Sequence, residues 1–460
     1  MSPQENKPLH IAMYPWFAMG HLTSYLHLAN KLAQRGHIIS FLLPTKTQLK
    51  LNSLNHHPNF LTFYPITIPP VDGLPAGAET TNDVLPSART KIMAARDLTR
   101  DQIDSYMAQL KPDFLFFDSP EWVPQVALKH GAKPIYYAIF YVAMFAYCNF
   151  QARNLPLNHR ITEADLIQPP PGFPSSSIRL HAHEARALAR VFSSDFGNGK
   201  TFLEKQDLGI QDCVGIGFRS GREMDGVYAD FLEKHLGKPV LLAGFVVPDP
   251  PTAKLDEYFD SWLNGFGHGT VVYCALGSEG FLNKEQFDEL VLGLELTGKP
   301  FLAAIKPPEG YETIESALPE GFAERTKGKG IVYGGWVQQP LIVQHPSVGC
   351  FVTHCGTGSL SEALMGGCQL VLMPQGLDQY INARVMSVDM KVGVEVEKGE
   401  DDGFISREAI CKAVELVMDE EGEVGKEVRA NNAKWRELLF KQGLEESYIN
   451  DFVMSLRELL

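Results

Sequence analysis

The chain has 460 residues, a formal net charge of −14, 45% hydrophobic residues and 21% charged residues. Its length exceeds that of one ordinary domain, and its composition excludes a disordered or fibrous class of protein. The acidic balance argues against nucleic acid or an anionic membrane as a partner.

The seven cysteines are scattered and form no C-x-x-C pair, which argues against a disulfide framework or a zinc site and favours a reducing compartment. The first residues lack the basic and long apolar segments typical of a secretory signal. The longest apolar stretch, residues 135–150, is shorter than the roughly 20 residues that span a bilayer, and we interpret it as a buried strand leading into a buried helix. We therefore predict a cytoplasmic protein without a membrane span.

The first half of the chain begins with a pattern typical of a parallel βαβ unit. Residues 9–14 (LHIAMY) and 37–43 (HIISFLL) are strand-like, and the segment between them has apolar residues at helical spacing. Gly36 is placed to end that helix. Residues 113–118 (DFLFFD) predict another buried strand, with Asp118 at its carboxyl end.

The second half repeats this alternation. Residues 270–278, 300–306, 330–336, 349–354 and 368–374 are strand-like, and residues 285–296 predict an intervening helix. The prolines of VVPDPPTAK indicate a linker. We predict a doubly wound α/β domain at 1–245, a linker at 246–255, a second such domain at 256–440, and a C-terminal helix at 441–460 that packs on the first domain. Two such domains place a ligand cleft between the carboxyl ends of their sheets.

A glycine turn in the second domain is the first candidate binding site. THCGTGSLSEAL (353–364) combines a strand end, a turn with Gly356 and Gly358, and a helix start. We interpret Ser359 as the helix cap, with Glu362 completing an S-x-x-E capping box and His354 at the rim. A helix N-terminus binds anions, although the same residues also fit a simple tight turn. The dinucleotide fingerprint and the P-loop motif are both absent from the sequence.

Residues 336–379 (WVQQPLIVQHPSVGCFVTHCGTGSLSEALMGGCQLVLMPQGLDQ) closely resemble the signature box of plant family 1 UDP-glycosyltransferases. The resemblance extends over the whole chain, including PWFAMGH and FFDS near the N-terminus. It implies the GT-B fold, in which two Rossmann-like domains face each other across a cleft. It also implies that a UDP-sugar serves as co-substrate and that transfer inverts the anomeric carbon, with no bound metal and no further cofactor.

The resemblance also implies which residues bind the donor. Trp336 stacks on uracil, Val337 meets the base through its backbone, and Gln339 and Glu362 meet the ribose. Ser278, His354 and Ser359 hold the diphosphate, and Asp378 and Gln379 read the sugar hydroxyls. Three further residues of the glycine turn are also assigned to the donor site: Gly356, Thr357 and Gly358. Two alternatives remain open here: Trp336 as a core residue, and Glu362 as a helix cap only.

Two positions depart from the family's common HCGWNS form, since Thr357 replaces tryptophan and Gly358 replaces asparagine. An indole and an amide that usually contact the donor are therefore missing, although the backbone N–H groups of the turn remain.

His21 and Asp118 are the predicted catalytic residues. An acceptor hydroxyl needs a general base as it attacks the anomeric carbon. His21 lies in the predicted loop after the first strand and matches the family's catalytic histidine. Asp118 matches the carboxylate that orients it, in the manner of the histidine–aspartate half of a catalytic triad.

The resemblance is strongest to the branch that extends flavonoid and other phenolic glycosides. It implies an acceptor that already carries a sugar, and a donor that we rank as UDP-rhamnose first, then UDP-xylose or UDP-glucose. The alternatives are glucosyl transfer directly to an aglycone, an epimerase or phosphorylase with the same fold, and a non-catalytic nucleotide-sugar binder. The sequence does not indicate the oligomeric state.

Overall fold

The computed structural model describes residues 7–156, 158–195, 199–246, 254–277, 280 and 282–460. The chain divides into two compact units. The first unit contains residues 1–174, 189–248 and 442–460, and the second contains residues 175–188 and 249–441. The predicted linker, 246–255, falls largely outside the described residues.

The first unit is built on a seven-stranded sheet in which every neighbouring pair of strands is parallel, in the order β3-β2-β1-β4-β5-β6-β7. Its strands are β1 (His10–Tyr14), β2 (Ile38–Pro44), β3 (Leu61–Ile66), β4 (Phe114–Phe117), β5 (Lys133–Ala138), β6 (Gly215–Phe218) and β7 (Val240–Leu242). The helices up to the end of β7 are α1 (Met19–Ala33), α2 (Thr45–Leu51), α3 (Arg89–Asp97), α4 (Arg100–Leu110), α5 (Val123–Lys129), α6 (Val142–Cys148), α7 (Glu163–Leu166), α8 (Ala182–Phe192), α9 (Phe202–Gln211) and α10 (Arg222–Leu236).

The second unit has a six-stranded parallel sheet in the order β10-β9-β8-β11-β12-β13. Its strands are β8 (Val271–Ala275), β9 (Phe301–Ala304), β10 (Gly330–Tyr333), β11 (Val348–Thr353), β12 (Gln369–Leu372) and β13 (Gly393–Glu395). Its helices are α11 (Glu257–Leu263), α12 (Lys284–Leu296), α13 (Ile314–Ala317), α14 (Phe322–Arg325), α15 (Gln339–Val343), α16 (Thr357–Gly366), α17 (Gln379–Arg384), α18 (Arg407–Met418) and α19 (Glu423–Leu439).

The last helix, α20 (Leu444–Glu458), belongs to the first unit. Its buried residues Ile449, Phe452, Val453 and Leu456 are part of the same apolar core as β1 and α1. Burial of this apolar face, rather than helix propensity alone, stabilises the helix where it lies.

The predicted strands and helices are found close to their predicted bounds. The apolar stretch at 135–150 forms β5 and then the fully buried helix α6, as predicted. Within the described part of the chain, no helix combines the length and the apolar character needed to cross a bilayer.

One domain assignment was wrong. We predicted that residues 175–188 belong to the first domain, but they cluster with the second unit. The reason is electrostatic, since Glu184 is fully buried among charges of the second unit, with Arg384 at 2.8 Å and Lys398 at 2.9 Å.

Both sheets reverse their strand order at one point. In the first unit, β1 lies between β2 and β4. In the second unit, β8 lies between β9 and β11 in the same way. Loops that leave adjacent parallel strands at such a reversal open a crevice at the carboxyl edge of the sheet. We therefore expect the functional site of each unit at this crevice. It would lie beside the residues that follow β1 and β4 in the first unit, and beside those that follow β8 and β11 in the second.

Candidate functional site

The candidate catalytic pair lies at the reversal point of the first sheet. Register pairs Tyr14 at the end of β1 with Phe117 at the end of β4, so the segments that follow them leave the sheet side by side. His21 comes from the first turn of α1, and Asp118 follows β4 directly. Their side chains, more than 90 residues apart in sequence, meet because of this register.

The two side chains share a short hydrogen bond, with 2.6 Å between Nδ1 of His21 and Oδ2 of Asp118. The aspartate side chain is 2% exposed and the histidine side chain 26% exposed. Because a carboxylate only accepts hydrogen bonds, Nδ1 donates to Asp118, and in the neutral ring the lone pair is then on Nε2. The pair therefore presents one ring nitrogen at a partly solvent-accessible position, an arrangement that suits a general base and its orienting carboxylate.

In the second unit, the glycine turn follows β11 at the corresponding point of its sheet. Thr353 pairs with Ala275 of β8 on one side and with Leu372 of β12 on the other, so three loops emerge together. They carry most of the predicted phosphate- and sugar-binding residues. Ser278, predicted to bind the diphosphate, lies outside the described residues.

The His354 ring is packed between two glycines of these loops. A Cβ atom added at Gly277 or at Gly356 would come within 2.6 Å of the Nε2 atom of His354. Cys355, between His354 and Gly356, has a φ of 68°, a left-handed conformation that is strained for a residue with a side chain. The turn therefore holds the imidazole in one place and starts α16 immediately afterwards.

The predicted helix cap was wrong. Gly356, with extended backbone dihedrals, is the N-cap of α16, no side chain caps the helix, and Thr357 is its first residue. Ser359 and Glu362 are both inside the helix and form no capping box. The first N–H groups of α16 are thus not bonded by a capping side chain, which suits an anion.

Instead, Ser359 and Glu362 share one partner. The Nε2 atom of Gln339 donates to Oγ of Ser359 at 3.0 Å and to Oε2 of Glu362 at 2.7 Å. The structure thus brings together three residues that the sequence assigned to the ribose and phosphate. It also excludes the interpretation of Glu362 as a helix cap.

Trp336 and Val337 lie just before α15. The Trp336 side chain is 83% exposed, so the alternative interpretation of this residue as part of the core was wrong. An aromatic ring this exposed offers a flat apolar surface, as base stacking requires. The carbonyl oxygen of Val337 accepts the N–H of Gln339 at 2.9 Å and keeps a second lone pair.

Asp378 and Gln379 lie at the start of α17, after β12. The oxygen Oε1 of Gln379 accepts the backbone N–H groups of Gln375 and Gly376, at 2.9 and 3.2 Å. Gln379 therefore holds its own loop by the amide oxygen, and its amide nitrogen is the group that suits a sugar hydroxyl.

Asn382 is a residue that the sequence analysis missed. Fully buried, it donates through Nδ2 to the carbonyl oxygen of Cys355 at 3.0 Å and to Oδ2 of Asp378 at 2.8 Å. It thus joins the strained turn at Cys355 to the carboxylate expected to meet the sugar. The available signal was its spacing of four residues from Asp378, one helical turn along α17.

The chain is similar to known proteins over nearly its whole length. A family model described as UDP-glucoronosyl and UDP-glucosyl transferase matches residues 239–427. The chain is 53% identical over 451 residues to cyanidin 3-O-galactoside 2''-O-xylosyltransferase of Actinidia chinensis var. chinensis, an alignment that covers 98% of each protein. It is 48% identical, with the same coverage, to anthocyanidin 3-O-glucoside 2''-O-glucosyltransferase of Ipomoea nil. The chain belongs to the UDP-glycosyltransferase family.

A solved structure of the family extends this finding to the fold. Glycyrrhiza uralensis UGT73P12, complexed with glycyrrhetinic acid 3-O-monoglucuronide, has a TM-score of 0.82 at 21% sequence identity and covers 98% of this chain and 96% of its own. This likeness confirms the predicted GT-B class. The predicted family and the prediction of an enzyme that uses a UDP-sugar are confirmed as well.

Gly356, the N-cap of α16, and Gly358, within its first turn, give this UDP-glycosyltransferase a matched pair of test variants. We expect Gly356→Ala to weaken UDP binding about tenfold or more, because the new methyl group displaces the His354 ring. Gly358→Ala should have the smaller effect, since a Cβ there meets nothing within 4 Å and alanine is the better helix former. Calorimetric titration with UDP compares the two variants. An equal loss of UDP affinity in both would show that the position of the His354 ring does not matter for UDP binding.

Proposed function

We propose that this UDP-glycosyltransferase transfers a sugar from its donor to the 2''-hydroxyl of a flavonoid 3-O-glycoside. The observation that supports the proposal is the agreement between two relatives over the whole chain. One is named for 2''-O-xylosyl transfer to a cyanidin 3-O-galactoside and the other for 2''-O-glucosyl transfer to an anthocyanidin 3-O-glucoside. The two names share the acceptor position and differ in the donor sugar.

For the donor, we propose UDP-xylose or UDP-glucose. These are the sugars of the two relatives, and neither name supports UDP-rhamnose, which the sequence analysis ranked first. Thr357, in place of the family's common tryptophan, is 8% exposed, so an indole does not fit there without repacking. One group in a sugar pocket changes the discrimination between two donor sugars by only about 1–3 kcal/mol, so Thr357 alone does not decide the donor. UDP-rhamnose is therefore ranked third, after the donor sugars of the two relatives.

In the proposed mechanism, His21 is the general base. Its Nε2 atom takes the proton of the acceptor hydroxyl as the oxygen attacks the anomeric carbon. Asp118 fixes the tautomer through Nδ1 and stabilises the imidazolium that forms. One displacement forms the new glycosidic bond and breaks the bond to UDP, so the anomeric configuration inverts.

The second unit binds the donor and stabilises the leaving group. Negative charge grows on the diphosphate as the sugar–oxygen bond breaks, and donors positioned in advance stabilise that charge most. We assign this role to the N-terminus of α16, to His354 and to Ser359, with Ser278 as a further ligand; the helix start without a capping side chain and the packed His354 ring support the assignment. The mechanism gives no role to a metal ion.

The cytoplasmic location is also part of the proposal. All seven cysteines are free and buried. Proteins that keep many free thiols are typical of reducing compartments.

A donor-by-acceptor panel tests the proposal. Cyanidin 3-O-galactoside, cyanidin 3-O-glucoside and cyanidin would each be incubated with UDP-xylose, UDP-glucose and UDP-rhamnose, with and without EDTA. We expect a disaccharide product from the glycosides, with its 2''-linkage and inverted configuration shown by NMR and its yield unchanged by EDTA. If the free aglycone with UDP-glucose were by far the best pair, the enzyme would act on aglycones and the proposed acceptor would be wrong.

Glu362→Ala tests the ribose contact. We expect UDP binding to weaken by about 1.5–3 kcal/mol, the value of a hydrogen bond to a charged group. Glu362→Gln should give an intermediate loss, because its amide oxygen still accepts a hydrogen bond from a ribose hydroxyl. Calorimetric titration with UDP measures both variants, and unchanged affinity in Glu362→Ala would reduce Glu362 to a structural partner of Gln339.

A further inference from the structure

Arg96, on α3, is a buried cation directly behind the catalytic pair. The residue is 1% exposed. Its guanidinium donates to the carbonyl oxygen of Tyr14 at 2.9 Å and to Oγ of Ser119 at 2.6 Å. It therefore joins the last residue of β1 to the segment that follows β4, the two segments that carry His21 and Asp118.

The same guanidinium faces the carboxylate of Asp118. Nη2 of Arg96 lies 3.5 Å from Oδ1 of Asp118, whereas Oδ2 of that carboxylate is 2.6 Å from His21. Each carboxylate oxygen thus has its own partner. Rotation of the carboxylate about its last side-chain bond would weaken both contacts at once.

The surroundings hold the guanidinium in this position. Its central carbon lies 4.3 Å from the ring centre of Tyr14, 5.4 Å from that of Trp16 and 5.3 Å from that of Phe17. These rings attract a cation and keep water away from it. A planar guanidinium can stack on rings and donate in several directions at once, which a lysine ammonium cannot do.

A second ion pair fixes the same end of α3. Asp97, the next residue, accepts a hydrogen bond from Nζ of Lys205 of α9 at 2.6 Å. The Lys205 side chain is 4% exposed. Two consecutive residues of α3 are therefore bonded to two other elements, which leaves the helix end little freedom to shift Arg96 away from Asp118.

We infer that Arg96 is a positioning residue of this enzyme, which holds Asp118 in the orientation that His21 requires. The inference rests on the proposed roles of His21 and Asp118. It predicts that Arg96 acts on turnover only through Asp118. A merely structural arginine would instead lower the stability of the fold and leave the turnover of the folded enzyme unchanged.

A double-mutant cycle tests the inference. Arg96→Met would be measured in the wild-type enzyme and in Asp118→Asn, with Arg96→Lys as the conservative variant. We expect Arg96→Met to lower kcat about 10²-fold with little change in the KM for the UDP-sugar, the size expected when a catalytic group is displaced by about 1 Å. Arg96→Lys should retain part of the activity. In the Asp118→Asn background, the further loss should be less than about threefold.

Arg153→Met is the matched control. The central carbon of the half-buried Arg153 guanidinium lies 5.0 Å from the ring centre of Tyr147. The guanidinium donates to the carbonyl oxygens of Tyr147, Asp165 and Gln168, so it combines a ring contact with hydrogen bonds to carbonyls, as Arg96 does, and none of these partners belongs to the catalytic pair. We expect this variant to lose stability but to keep its turnover once folded. Thermal melting of each variant separates stability from turnover.

The outcomes are distinct. An equal fold-loss from Arg96→Met in both backgrounds, or full activity in folded Arg96→Met, would overturn the inference about Arg96 alone. Full activity in His21→Ala and Asp118→Asn would overturn the proposed mechanism. If Arg96→Met does not fold, two other variants test the inference: Arg96→Lys, and the Arg96→Met/Asp118→Asn double variant, in which no buried carboxylate is left without its partner. Full activity in Arg96→Lys would overturn the inference. So would a turnover of the double variant far below that of Asp118→Asn.

Discussion

His21→Ala should lower turnover about 10²–10⁴-fold while UDP binds almost as tightly as before. The loss is that of a general base, about 2.7–5.5 kcal/mol in the activation barrier. UDP affinity should survive because the residues proposed to bind UDP all lie in the second unit, whereas His21 belongs to the first. Steady-state kinetics with the best substrate pair of the panel, together with calorimetric titration of UDP, would measure both quantities.

The chain supplies a matched control in a second histidine–aspartate pair. Nε2 of His130 lies 3.0 Å from Oδ1 of Asp104 in the same unit. His130 follows the C-terminus of α5, which starts near the carboxyl end of β4 and runs back toward the opposite edge of the sheet. His130→Ala should therefore leave turnover unchanged. Full activity in His21→Ala, or an equal loss in His130→Ala, would contradict the assignment of the base.

Glu184→Ala should destabilise the protein by about 3–5 kcal/mol, the usual cost of removing one partner from a buried ion pair. Glu184 is fully buried and pairs with Arg384 and Lys398, whose side chains are 8% and 4% exposed. After its removal, these two cations would still pair with Glu395. Urea denaturation measures the change. Glu397→Ala is the control: its ion pair with Lys412 is mostly exposed, so we expect a change within about 0.5 kcal/mol.

The destabilisation by Glu184→Ala should depend on pH in a defined direction. Burial alone would raise the pKa of Glu184, but the charges of Arg384 and Lys398 outweigh it, and the pKa lies below the ordinary 4.5. A carboxyl with a lowered folded-state pKa contributes its full stability above the unfolded-state value and loses it as the pH falls through the folded-state value. The difference in the free energy of unfolding between wild type and Glu184→Ala should therefore be constant down to about pH 4.5 and become smaller below it. A difference that grew on acidification would contradict the ion-pair explanation.

The sequence predicted most of the fold because parallel strands buried on both faces appear as apolar runs. The segments 113–118 and 349–354 are such runs, and the structure places β4 and β11 within or close to them. It also predicted the pair His21–Asp118, although only through family resemblance, since nothing local shows that residues so far apart meet.

The errors have local and long-range causes. The S-x-x-E pattern predicted a cap at Ser359, but the left-handed backbone at Cys355 turns the chain early, and Gly356, three residues before Ser359, is the N-cap of α16. The placement of residues 175–188 depends on Glu184 meeting Arg384, a contact across 200 positions. Arg96 was missed for the same reason, because its contacts with Tyr14 and Asp118 follow from sheet register rather than from any motif.

The division of the chain restricts how this enzyme can be recombined with its relatives. A chimaera made by a single exchange at residue 248 would take residues 175–188 from one parent and the pocket for Glu184 from the other. It would also separate α20 from the first-unit core that its apolar face completes. Exchange of donor preference between relatives therefore requires four junctions, after residues 174, 188, 248 and 441, so that each compact unit is inherited whole.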